Sequence, residues 1–204
     1  MSFRRSLAAA VFGLAAASTG ALAQSASHDP ATVKGGSYTL EPTHTQIGWT
    51  LSHMGFSYYS GGFSNASGSL TLDPANPTAD KLNVSVPIAS VATTSTKLDG
   101  ELKSAQWFDA DKFPTATFAS TGVTAEGKDR AKVTGTLTLH GVTRPVVLDV
   151  RFVGAGVNPL DKKYTVGFEA VGTIRRSDFG VKTYVPLIGD EVRLTINGAF
   201  EQQS

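Results

Sequence analysis

The amino-acid sequence predicts an all-β domain of about eight antiparallel strands. Three observations carry this. Apolar residues recur at every second position through most of the chain, turn residues separate these runs, and only one short stretch has helical spacing. A period of two buries one face of a strand. With no helical crossovers, the strands must be joined by hairpins, so both a sandwich and a closed up-and-down barrel satisfy the pattern.

The first segment is a targeting signal. Arg4 and Arg5 precede an apolar run over residues 7–17, and Ala21-Leu22-Ala23 offers small residues to signal peptidase. The run is shorter than the roughly 20 residues of a membrane span and is broken by Ser18, Thr19 and Gly20. Residues 1–23 are therefore expected to be a cleaved secretory signal peptide, which puts the mature chain in the periplasm. Residues 24–36 are expected to be a flexible N-terminal segment and residues 37–204 the folded domain.

The strands follow in order. Ile47, Trp49 and Leu51 alternate with small and polar residues, then Ala66, Gly68, Leu70 and Leu72, then Leu82, Val84, Val86 and Ile88. Val133, Gly135, Leu137 and Leu139 face opposite Thr134, Thr136 and Thr138, and Val146, Leu148, Val150 and Phe152 come next. Tyr164, Val166, Phe168, Ala170 and Ile174 mark one further strand, and Val192, Leu194, Ile196 and Phe200 the last. Asp73-Pro74-Ala75-Asn76-Pro77, Glu126-Gly127-Lys128-Asp129, His140-Gly141-Val142-Thr143, the stretch from Gly154 to Asp161, and Ile188-Gly189-Asp190 are expected to supply the turns. The exception lies near residues 96–106, where Leu98, Leu102 and Ala105 predict one short helix that plugs or caps an end of the domain.

Composition excludes several functions. The chain carries 18 basic and 17 acidic residues, and without Arg4 and Arg5 the basic count falls to 16. These charges are scattered, which argues against a nucleic-acid partner and against docking on anionic headgroups. Absence of cysteine removes disulfides and a lipoprotein anchor, so stability must come from a core. His28, His44, His53 and His140 lack paired ligand spacing, so neither a metal nor a cofactor is expected. No Gly-x-Ser-x-Gly elbow occurs, and Asp109 with Asp111 reads as turn chemistry before Phe113-Pro114. His53 continues an apolar face, as a hydrogen-bonded core histidine or as a contact to a polar headgroup. The cluster Arg175-Arg176-Ser177-Asp178 suits either a solvated ion pair or an anionic head.

Several blocks in fixed order then carry a resemblance. They are His53-Met54-Gly55-Phe56-Ser57 with Gly61-Gly62-Phe63, residues 76–84, residues 98–109 and Lys112-Phe113-Pro114-Thr115-Ala116-Thr117-Phe118. Leu137-Thr138-Leu139-His140-Gly141-Val142-Thr143-Arg144-Pro145-Val146 is the most specific, and Gly167-Phe168-Glu169-Ala170 and Arg176-Ser177-Asp178-Phe179-Gly180 complete the set. From Tyr38 to Phe200 the chain resembles the YceI-like family. The resemblance implies an eight-stranded antiparallel lipocalin-like barrel in the periplasm, holding a polyisoprenoid or similar long amphiphile in its interior. One departure is Leu98-Asp99-Gly100-Glu101-Leu102, where many relatives carry Arg-Asp-x-His-Leu.

On this basis the expected lining of the barrel is Trp49, Leu51, Leu70, Leu82, Val84, Val86, Phe118, Leu137, Leu139, Leu148, Val166, Phe168 and Ile196. The candidate headgroup contacts are His53, Arg176 and Asp178. Small inward residues, Gly48, Ala66, Gly68, Gly135, Ala170, Gly172 and Gly198, either leave room for a ligand or mark bulges. The expected function is a non-enzymatic binding or carrier protein for a polyisoprenoid or isoprenoid-quinone-like lipid, with a membrane redox enzyme as a further partner. The alternatives are a ligand-free envelope stress or interaction protein with a filled interior, and a lipid-processing enzyme acting through His53 or Asp178. Exposed strand edges leave a homodimer open.

Overall fold

The computed structural model describes residues 26–203, and the expected signal peptide lies outside them. Ten strands form one antiparallel sheet: β1 (Gly36–Leu40), β2 (Gln46–His53), β3 (Ser57–Phe63), β4 (Ser67–Leu72), β5 (Lys81–Pro87), β6 (Thr115–Ala125), β7 (Arg130–Leu139), β8 (Val142–Val157), β9 (Tyr164–Arg175) and β10 (Glu191–Gln202). A single α-helix, α1 (Thr96–Lys103), is present among the described residues.

The sheet closes because β10 is long enough to hold two partners on one edge. Its first half pairs with β2, Arg193 opposite Thr50, and its last residues pair with β1, Gln202 opposite Tyr38. β1 and β2 are thus one long strand interrupted at residues 41–45. Thr45 stitches the interruption, since its hydroxyl donates to the Glu41 carbonyl and accepts from the Ala199 N–H. β4 lies on β1 and β3 on β2, so these two form the next strand, interrupted at residues 64–66. Each interrupted pair therefore counts once, and the barrel has the eight strands expected of it. A sandwich is excluded by the β1–β10 pairing.

At one end β3 and β5 part, and the connection from β5 to β6 fills the gap. Ala92 bridges to Gly62, and the Ser90 hydroxyl accepts from the Ser64 N–H. α1 belongs to this connection. Ser95 caps it by accepting from the Leu98 N–H, and the Asp99 carboxylate accepts from the N–H and hydroxyl of Thr93. The helix is shorter than expected and ends at Lys103, after which residues 104–108 continue as turns that bring Trp107 and Phe108 under its buried Leu102.

Two bulges change which residues point inward. The β8–β9 register shifts between Phe152 and Gly154, so the buried series Val146, Leu148, Phe152 resumes at Ala155, on the other parity. A shift between Ser120 and Gly122 does the same to β6 and turns Val123 inward. At the β7–β8 hairpin, His140 and Gly141 both have positive φ, 52° and 73°, as a two-residue primed turn requires. Residues 26–36, expected as a flexible lead, instead lie against the barrel. Ser27 pairs with Ala155, and the Lys34 carbonyl accepts from the Tyr38 hydroxyl.

An apolar chamber as candidate functional site

The inward side chains do not fill the barrel. They enclose a chamber of about 310 Å³ whose wall is almost wholly hydrocarbon. This also explains a burial pattern. Leu82, Val84, Val86, Phe118, Leu137 and Ile196 point inward yet are only half-buried, because the surface they keep is that of the chamber. A ligand-free barrel packed solid by its own residues is not what the sequence builds.

Of the expected lining, Trp49, Leu51, Leu70, Leu82, Val84, Val86, Phe118, Leu137, Leu139, Leu148, Phe168 and Ile196 face the chamber. Val166 does not. It is inward but fully buried in a cluster with Tyr38, Leu40, Phe152 and Ala155. Phe168 packs edge-to-face on Phe152 at 5.9 Å and on Phe200 at 6.3 Å, and these rings stand between Val166 and the chamber. In the same cluster, burial and then the Tyr164 charge push the Tyr38 phenol up to about 12.

Strand alternation missed the wall contributed by connections and bulges. Leu102, Trp107, Phe108 and Val181 line the α1 end from outside the strands, and Val123 comes inward only through the β6 bulge. The helical spacing of Leu98 and Leu102 was the available signal for the first group. The bulges left none in the apolar pattern.

The small inward residues make room for whatever lies across the ladder, a ring, an aliphatic side chain or backbone. A Cβ at Gly135 would strike the Phe118 ring, one at Gly61 the Trp49 ring, and one at Gly172 would stand 2.7 Å from Leu148. At Gly68 the obstacle is the Asn83 backbone. Only Ala170 and Gly198 of the expected set line the chamber itself.

The three candidate headgroup contacts separate. His53 ends β2 outside the chamber wall, with its ring 6.2 Å from that of Tyr59. Asp178 is exposed on the outer surface, in a groove with Arg144, Arg175 and Glu191. Residues 176–179 form a 3-10 turn, which puts Arg176 and Phe179 on the inner side and Asp178 on the outer. Arg176 is the one that reaches the chamber, at 4% exposure. It donates to the carbonyls of Gly189, Val181, Thr183 and Ile188 over 2.7–3.0 Å and lies 5.4 Å from the Trp107 ring. Burial pushes its pKa down, against the opposing charge of Asp190. In the departed helix motif, Leu98 packs into the core, while exposed Glu101 accepts from the Trp107 indole N–H.

At the far end the wall includes Asp80 and Lys81. Burial first, and then the charge of Asp73, raise the Asp80 pKa against a hydrogen bond from the Asp73 N–H.

Fold and chamber together define a class, the closed lipocalin-like barrel with an apolar interior. The model of the YceI-like domain matches residues 38–200, and the chain belongs to that family. It is 40% identical to Protein YceI of Escherichia coli O6:H1 over 163 residues, covering 80% of this chain and 84% of that protein. The crystal structure of the Campylobacter jejuni YCEI protein is 32% identical, with a TM-score of 0.66 over 75% of this chain and 90% of that one. A polyisoprenoid binding domain from Saccharophagus degradans, implicated in plant cell wall breakdown, shares the fold. Its TM-score is 0.63 at 18% identity, over 81% of this chain and 98% of that one.

Proposed function

We propose that this protein is a periplasmic carrier that holds the apolar tail of a polyisoprenoid or isoprenoid-quinone-like lipid inside its barrel and does not transform it. The observation that carries this is the chamber, surrounded by strands, bordered by an aromatic layer toward one end and lined by hydrocarbon. Burying one carbon contributes about 0.8 kcal/mol, so a five-carbon isoprene unit contributes roughly 4 kcal/mol before the cost of ordering the chain. Few polar contacts are then needed for affinity, which fits a wall with so few polar atoms. That a domain of the same fold is described as polyisoprenoid-binding supports the ligand class. The periplasmic location rests on residues 1–23. A quinone cargo would make a membrane redox enzyme the recipient, and sedimentation of the purified protein reads whether it acts as a homodimer.

Both tryptophans of the chain, Trp49 and Trp107, line the chamber, so intrinsic fluorescence reports its occupation. Titrating delipidated protein with a four-unit prenol is expected to give a saturable change at one ligand per chain. Fluorescence unchanged at ligand excess would reject the carrier role.

A further inference from the structure

The α1 end of the chamber has hydrogen-bond donors to spare, and the side chains that line it there carry no acceptor. A guanidinium has five N–H groups. Arg176 spends four: Nε on Gly189, one terminal nitrogen on Val181, and the other on Thr183 and Ile188. One N–H of the nitrogen bonded to Val181 is left over. The carbonyls solvate the charge but do not neutralise it. Asp190, the nearby carboxylate, pairs with Arg175 at 3.0 Å and accepts from the N–H and hydroxyl of Ser177. Arg176 itself has no ion-pair partner among the described residues. Trp49 adds a second donor, since its indole N–H has no acceptor and its ring is part of the wall. That nitrogen is covered by packed atoms, so a ligand reaches it only with a small shift of the ring. Arg176 carries the larger part of the argument. The acceptors of the wall lie elsewhere: the Thr45 hydroxyl is spent within the backbone, and the Asp80 carboxylate stands at the opposite end.

We propose, on the basis of the carrier function above, that the ligand enters with an acceptor-bearing head, a carbonyl, carboxylate or phosphate oxygen, set against Arg176. Its tail runs past Trp49 and Phe118 toward the Phe168–Phe200 layer. An oxygen there receives the unspent N–H in a charge-assisted bond, and its negative charge, partial or full, compensates a buried cation that water screens poorly. A cationic head meets the same field as repulsion. The site therefore selects by charge, in the order anion, neutral oxygen, cation.

The test uses three geranylgeranyl ligands that differ only in the head: carboxylate, alcohol and amine. Each is titrated into delipidated mature protein at neutral pH and followed by tryptophan fluorescence. The carboxylate is expected to bind about tenfold tighter than the alcohol and the amine about tenfold weaker, with little change on raising the salt. The preference is expected to persist in Lys81→Gln and to shrink in Arg176→Gln. An amine bound as tightly as the carboxylate, or a preference abolished by Lys81→Gln, would overturn the proposal and leave the carrier role standing. If none of the three binds, the carrier role itself fails. Should Arg176→Gln not fold, the wild-type series and Lys81→Gln still decide.

Discussion

Arg176 shows how one side chain serves both fold and site. Its four carbonyl partners lie on residues 181–189, so it ties down the loop that closes the α1 end. Replacing it with methionine leaves those carbonyls without donors, and an unsatisfied buried polar group costs about 1–3 kcal/mol. Urea denaturation of Arg176→Met is expected to show a loss of about 3 kcal/mol or more, whereas Asp178→Asn, on the outer surface, should stay within about 0.5 kcal/mol. Equal losses would contradict the separate placement of the two residues. The sequence marked both as one cluster and did not say which faced inward. That depended on a 3-10 turn whose three-residue period is not visible in four polar residues.

Glu41 belongs to the same scale. Burial pushes its carboxyl up, but the backbone N–H groups of Thr43 and His44, with their side chains, more than reverse this and hold it at about 2, against 4.5 when free. Between those values the unfolded chain binds the extra proton, so stability rises with pH. The contribution is complete above about pH 4.5 and is lost as the pH falls through about 2. The midpoint of thermal unfolding should therefore drop across that window, and less steeply in Glu41→Gln. Parallel curves for the two proteins would remove Glu41 from the account.

Among the elements, strands paired by alternation were legible, and irregular ones were not. Even positions from Val146 to Phe152 and from Phe168 to Ile174 face inward as their spacing predicts. Past the β6 and β8 bulges the parity reverses, and an inserted residue leaves no hydrophobic signature. Glycines show the same limit, because their meaning depends on a neighbour across the ladder. Gly135 is small so that the Phe118 ring can lie over it, and a Cβ there would stand against that ring and 2.6 Å from the Ala119 carbonyl. Gly135→Ala is accordingly expected to cost about 1–3 kcal/mol in urea denaturation. It should also weaken prenol uptake, as Phe118 is displaced into the chamber. A variant with unchanged stability and uptake would refute this role for the glycine.

Over the whole molecule, the all-β class and strand number could be read from periodicity, but closure could not. Closure depends on β10 serving β2 and β1 on one edge, and on two strands continuing across interruptions. The choice of barrel over sandwich came from the resemblance carried by the motif blocks. The chamber follows from the same architecture. Its wall residues lack packing partners on their inner side, a loss of dispersion contacts that a hydrocarbon tail would restore. Bound lipid should for that reason raise the unfolding temperature of delipidated protein.

The most direct measurement is native mass spectrometry of the mature protein recovered gently from the cell envelope. The expected spectrum shows residues 24–204 carrying a single lipid, released on denaturation and fragmenting in five-carbon steps. A spectrum of the bare polypeptide from every gentle preparation would contradict the carrier account.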